Sequence, residues 1–208
     1  MKSWKFFSLI LFVMLNAPLV HAEPEIGQNA PDFIGVDSHG QQVHLSDFKG
    51  QPLVLEWTNH LCPYVRKHYE SGNMQRLQRQ LTEAGATWIS IISSAPGKQG
   101  HVTASEANQL TASRGVYADR IILDTDGVIG RTYDAKTTPQ MVLIDEAGVI
   151  RYMGAIDDKP SSRKSTLKGA RNYLLEAWQA LKAGETIKLP VTKPYGCTVK
   201  YGSIEGYK

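Results

Sequence analysis

The sequence predicts an α/β domain in which a central sheet carries helices on both faces and ends in an antiparallel edge. Three observations predict it. Residues 52–57, 87–92 and 120–124 are nearly continuous apolar runs of strand length, as central strands buried on both faces are. Segments of helical spacing separate these runs, so strand and helix alternate along the chain. A turn at 145–148 then joins two more strand-like runs, and an amphipathic helix follows them.

Taken in order, the first 22 residues read as an export signal rather than as part of the fold. Lys2 and Lys5 precede an apolar run over 6–15, and Val20-His21-Ala22 resembles a signal-peptidase site. The run is shorter than the roughly 18 residues that a membrane span needs, and no cysteine follows the cleavage site to suggest a lipid anchor. A periplasmic or secreted location is therefore expected, with membrane contact only through the signal during export. Residues 23–208, 186 in number, suit one domain with a full-sized core and a tail from about 185. Without Lys2 and Lys5 that stretch holds 21 basic and 20 acidic residues, so no basic stripe points to nucleic acid.

Residues 30–33 open a short strand, and 42–45 return as its hairpin partner across 38–40. A helical turn at 46–48 closes on Gly50. Pro63 suits the first turn of a helix, where its missing N–H costs nothing. Val65, Tyr69, Leu77 and Leu81 continue the helical spacing to Gly85. Ser71-Gly72-Asn73 interrupts it, which predicts a kink or two pieces. Thr103 and Glu106 form a capping-box pattern that opens a short helix through Leu110. A short helix near 128–133 leads to strands at 138–144 and 149–153. Leu167, Ala170, Leu174, Ala177, Trp178 and Leu181 share one face of the last helix, which Gly184 stops.

The chain has two cysteines, Cys62 and Cys197, the smallest number that can pair internally. Neither has a second Cys or His at ligand spacing, so no metal site is expected, and no cofactor. Cys62 stands where a buried strand gives way to a helix. Free N–H groups and the helix dipole favour an anion there, so its thiol is expected to titrate below the usual ~8.5. His60 and Arg66 are candidates for nearby positive charge, Arg66 lying one turn along the same face. A buried, inert cysteine is the alternative. The carboxyl end of a parallel strand, where open α/β sheets place their sites, favours the reactive reading.

The stretch from Trp57 to Val65, with Asn59, His60, Cys62 and Pro63, resembles the active-site turn of peroxiredoxin-like members of the thioredoxin superfamily, the redoxin or alkyl hydroperoxide reductase/thiol-specific antioxidant type. The likeness continues through Arg66-Lys67-His68-Tyr69, residues 93–100, Thr137-Thr138-Pro139, residues 154–158 and residues 194–200. It implies a thioredoxin fold, with Cys62 at the peroxidatic position and also at the place of the second cysteine of a CxxC motif. Asn59 would then stand where thioredoxins carry their first cysteine, and Thr138-Pro139 at the cis-proline turn that faces the active cysteine. Leu55 and Pro139 occupy places where the resemblance implies a proline and an arginine. Asn59, His60, Pro63, Arg66, Thr138 and Pro139 are accordingly the candidate substrate-binding residues, with Cys62 and Cys197 as the catalytic pair.

Cys197 lies 135 residues beyond Cys62, in a segment without helical period that is expected to lie over the domain. It is either a resolving thiol that opens and closes a disulfide with Cys62, a partner in a permanent bridge, or a thiol that pairs with another protein. A bridge closing so long a loop would add roughly 5 kcal/mol in the chain-entropy model. Asp157-Asp158 either tunes a nearby thiol or is a solvated loop. Glu56, inside an apolar strand, is either buried with a raised pKa or points into water. Lys98 reads as a surface charge.

The function expected first is an exported thiol oxidoreductase of peroxiredoxin-like type with antioxidant activity. Its substrate would be a peroxide or a protein disulfide, and an external thiol would reduce it again. The alternatives are a thioredoxin-like disulfide reductase or isomerase of exported proteins, and a non-enzymatic binding module held by a structural Cys62–Cys197 bridge.

Overall fold

The computed structural model describes residues 24–203, so the expected export signal lies outside the described residues. A hairpin of β1 (Ile34–Val36) and β2 (Gln42–His44) comes first, followed by a 3-10 turn at Leu45–Phe48. The first strand thus starts after Phe33, a few residues later than its sequence pattern indicates. β3 (Leu53–Trp57) is buried at every position, as a central strand covered on both faces is, and takes Glu56 into the interior with its apolar neighbours. The helical segment after it is broken in two: α1 (Pro63–Tyr69) ends at the turn containing Gly72, and α2 (Asn73–Glu83) follows. Gly72 supplies the left-handed backbone that separates them, with φ of 70°.

β4 (Thr87–Ile92) is followed by α3 (Ala104–Arg114), whose Thr103 and Glu106 make the expected capping box. That helix runs to Gly115 rather than to Leu110, because Gly115 is the residue that takes the left-handed cap. β5 (Arg120–Leu123) and α4 (Val128–Thr132) come next. The single strand expected over 138–144 is two, β6 (Thr137–Thr138) and β7 (Gln140–Ile144), divided at the cis Thr138–Pro139 bond. β8 (Ile150–Gly154) returns beside β7.

The last helix, α5 (Tyr173–Lys182), starts later than the apolar spacing indicates. Asn172 caps it by accepting from the Leu175 N–H. Leu167 belongs instead to a separate 3-10 turn, and Gly169 takes a left-handed φ of 73° between the two.

The sheet order is β5-β4-β3-β7-β8, parallel from β5 to β3 and antiparallel from β3 to β8. Two apolar clusters fill its faces. One joins Val54, Trp88, Leu143, Tyr152 and Trp178 with Cys62 and Val65, and the other joins Leu55, Trp57, Ile89, Ile122 and Tyr133. This is the thioredoxin fold expected from the sequence: a mixed central sheet, helices on both faces and an N-terminal hairpin. A short strand, β9 (Cys197–Thr198), brings the tail back to pair antiparallel with β6.

Candidate active site

Cys62 is the N-cap of α1, with Pro63 in the first turn. Its amide donates to the Asn59 carbonyl at 3.0 Å, which closes the turn between β3 and the helix. Asn59 builds that turn. Its side-chain oxygen accepts from the Leu61 N–H at 2.9 Å, and its amide donates to the Gln99 carbonyl at 3.2 Å. Gly100 is required beside it, because a Cβ there would fall 2.3 Å from the Asn59 side chain. Asn59 is buried, with both ends of its side chain engaged in holding two loops together.

The sulfur of Cys62 is sealed, with 0% of the residue exposed. It packs in the apolar cluster on one face of the sheet, and the tail meets it through Cys197. Thr138 pairs with Cys197 across the β6–β9 ladder, so the cis-proline strand carries Cys197 to the Cys62 sulfur. Gly196 makes that approach possible. Its φ is 145°, and a Cβ there would lie 2.0 Å from the Thr138 carbonyl oxygen. Both cysteines are free thiols, Cys62 buried and Cys197 half-buried.

The two thiols are unequal. Burial alone would raise the pKa of Cys62. That effect is outweighed by hydrogen bonds from the Cys197 thiol, the Thr138 side chain and the backbone N–H groups of Val65 and Cys197, and the net shift is downward. The Thr138 carbonyl works the other way, accepting from the protonated Cys62 sulfur at 3.1 Å. Burial, and then the charge and hydrogen bond of Cys62, push Cys197 up to about 12. A single ionised sulfur shared by this pair therefore rests on Cys62.

Of the other residues singled out in the sequence, Pro63, Thr138 and Pro139 stand at this centre, and three do not face it. The Arg66 guanidinium pairs with Glu70 at 2.6 Å on the outer side of α1, its side chain 54% exposed. His60 turns toward α3: its carbonyl accepts from Arg114 at 3.2 Å, and its ring lines a cleft with Leu110 and Arg114. Burial and the Arg114 charge lower the His60 pKa, so the ring stays neutral near pH 7. Asn59 supports the turn from behind, as described. The groups that stabilise the Cys62 thiolate are neutral donors, in place of the cations the sequence suggested.

Glu56 is fully buried. Its carboxylate accepts from Tyr69 at 2.9 Å, Gln78 at 3.2 Å, Trp88 at 2.9 Å and Ser90 at 3.0 Å. Burial nevertheless raises its pKa above 4.5. The folded protein thus holds this proton more tightly than the unfolded chain does. The stabilisation is complete below about 4.5 and is lost as pH rises through the folded pKa. Glu56→Gln is expected to flatten this part of the pH dependence of the melting temperature. An unchanged profile in the variant would assign it to other groups.

Asp157 and Asp158 differ. Asp158 is a surface group paired with Lys159 at 3.0 Å, whereas Asp157 is buried and faces the helix that carries Cys62. The Lys67 ammonium lies 3.5 Å from Asp157, with both side chains almost completely buried. Asp157, which the sequence offered either as a tuning group or as part of a solvated loop, is thus buried, and Lys67 and Tyr195 beside it are the residues that sequence reasoning did not single out. A lysine on the apolar face of α1 was the available signal.

Residues 26–153 match the model of the AhpC/TSA family. The thioredoxin-like protein YneN of Bacillus subtilis is 27% identical over 180 residues, which cover 80% of this chain and 99% of that relative. The thiol-disulfide oxidoreductase ResA of the same organism is 24% identical over 131 residues, 60% of this chain and 64% of ResA. Among solved structures, a hypothetical protein from Sinorhizobium meliloti 1021 superposes with a TM-score of 0.73 at 21% identity. That match covers 88% of this chain and 97% of the other. An uncharacterized conserved protein from Geobacillus kaustophilus gives 0.74 at 22% identity, over 86% and 93%. At these identities the structural likeness speaks for the fold.

Proposed function

The chain belongs to the AhpC/TSA family, and from that membership we propose that it is an exported thiol-disulfide oxidoreductase whose redox couple is Cys62 and Cys197. One observation carries the reading: the two cysteines, 135 residues apart in sequence, meet at the cis-proline strand, and the donors gathered there lower the pKa of Cys62 while that of Cys197 is raised. A pair serving only as a bridge has no need of such asymmetry. The names of YneN and ResA, and the signal-like pattern of residues 1–22, support the same reading.

In the proposed cycle the tail lifts and the Cys62 thiolate attacks one sulfur of a partner disulfide. A mixed disulfide forms, and the other half of the partner leaves as a thiolate that takes up a proton. Cys197 then loses its proton and attacks the Cys62 sulfur. The Cys62–Cys197 disulfide forms, and the partner leaves with both sulfurs reduced. An external dithiol restores the starting state. Cys62 is the better leaving group when the bridge is reopened, because it holds its negative charge more readily than Cys197 does.

Peroxide as the oxidant is the second reading, favoured by the family. Sulfenate formation on Cys62, followed by attack of Cys197, would yield the same bridge and water. Reduced protein given a chromogenic aryl disulfide or hydrogen peroxide in separate reactions tests both. The disulfide is expected to react faster, because the groups around the Cys62 sulfur are neutral donors rather than the cations that stabilise charge developing on a peroxide oxygen. Faster oxidation by peroxide would reverse the order of the two readings. Failure of both oxidants to produce the bridge would overturn them together.

A further inference from the structure

The tail that brings Cys197 against Cys62 is held by a buried polar cluster that the chemistry above does not use. Two residues before Cys197, the Tyr195 ring packs edge-on against Tyr64 on α1, with ring centroids 5.8 Å apart. Its hydroxyl donates to Asp157 and accepts from the Lys67 ammonium at 3.0 Å, and that ammonium also donates to the Lys159 carbonyl at 2.9 Å. The same ammonium lies 5.0 Å from the centre of the Tyr195 ring. His68 stands 3.4 Å from the hydroxyl, and its other ring nitrogen accepts from Asn73 at 2.9 Å. Burial holds the His68 pKa down to about 3, so this ring is neutral. One oxygen of Asp157 is buried without a hydrogen-bond partner, its nearest cation being Lys67 at 3.5 Å.

Two features make this a latch rather than general packing. Lys67 and His68 belong to α1, whose N-cap is Cys62, so the cluster ties the tail to the element that bears the reactive sulfur. It also spends a buried ion pair on a half-buried tyrosine of the tail, and an ion pair removed from water is weak evidence of a purely stabilising role. We propose that Tyr195, clamped between Lys67 and Asp157, is the positioning residue that fixes Cys197 over Cys62 and governs when Cys62 becomes reachable. The proposal rests on reading the two cysteines as a redox couple. Its test uses reduced protein without turnover, so that either idea can fail alone.

The experiment compares full-length wild type, Tyr195→Phe and Tyr201→Phe. Tyr201 anchors the tail beyond Cys197, its hydroxyl donating to the Ala135 carbonyl at 2.7 Å. The rate of Cys62 alkylation by iodoacetamide is followed against pH by peptide mass. Loss of the Tyr195 hydroxyl should speed Cys62 labelling roughly tenfold, the size expected for one buried hydrogen bond to a charged group. The midpoint of the pH profile should also move upward, because the Cys197 thiol no longer sits where it can donate. Tyr201→Phe should leave both readouts where they are. An unchanged rate and midpoint in Tyr195→Phe, or equal effects from the two variants, would overturn the latch. Should Tyr195→Phe not fold, hydrogen exchange on the wild type decides. Amides over 195–198 that open at the rate at which Cys62 labels support the latch, and Cys62 labelling faster than those amides open contradicts it.

Discussion

Changing Cys62 to serine is expected to lower disulfide-exchange turnover at least about a thousandfold, the scale of loss when the nucleophile of a covalent mechanism is removed. The hydroxyl is isosteric enough to keep α1 in place, since Cys62 makes no side-chain cap that the helix depends on. It does not ionise, so the donors gathered around the sulfur have no anion to stabilise. The variant should melt close to the wild type, because an oxygen at this point still meets the Thr138 carbonyl as acceptor. Loss of activity with an intact fold is the expected pair of results, read by insulin-type disulfide reduction and by thermal melting. Normal turnover in the serine variant would move the reaction to another group.

The second large effect is expected from Cys197→Ala. Alanine is the informative choice, since serine would still offer a hydroxyl donor to the Cys62 sulfur. The Cys197 thiol is the first of the donors that hold the Cys62 pKa down, so its removal should raise that pKa. Turnover should stop after one event, because a mixed disulfide on Cys62 then has no internal thiol to resolve it. Exposure to a partner disulfide should therefore yield a stable covalent adduct on Cys62, visible by mass. Continued multiple turnover by this variant would show that resolution comes from elsewhere and that the tail cysteine is dispensable.

Much of the architecture was legible because burial on both faces leaves an unmistakable pattern. The runs that became β3, β4, β5 and β7 are mostly apolar, and β3, β4 and β7 are almost wholly buried, while β5 at the sheet edge buries its two central isoleucines. The break between α1 and α2 and the capping box of α3 were likewise written locally, in Gly72 and in Thr103 with Glu106. The start of α5 was not. Leu167 and Ala170 keep the apolar spacing, but Asn172 and Gly169 decide where the helix begins. Caps compete with periodicity over such short distances and win.

At the site, Cys62 and Thr138-Pro139 were legible from the strand-to-helix turn and the family likeness. The charged neighbours were misleading. Arg66 and His60 are close to Cys62 in sequence, yet helix geometry turns one outward to Glu70 and the turn sends the other toward Arg114. Lys67 has the reverse history, a charged residue drawn inward because Asp157 and Tyr195, both distant in sequence, wait for it there. Glu56 stood undecided between burial and solvent. The four donors supplied by α1, α2 and β4 are what make its burial tolerable, and none could be assigned before the fold was known.

The most direct test of the account is the reduction potential of the Cys62–Cys197 pair, measured by equilibration with thiol buffers and mass counting of free thiols. A reversible two-electron couple between about −120 and −300 mV is expected, the range in which exchanging protein disulfides lie. A bridge that resists reduction well below that range, or two thiols that never join under oxidising buffer, would contradict it.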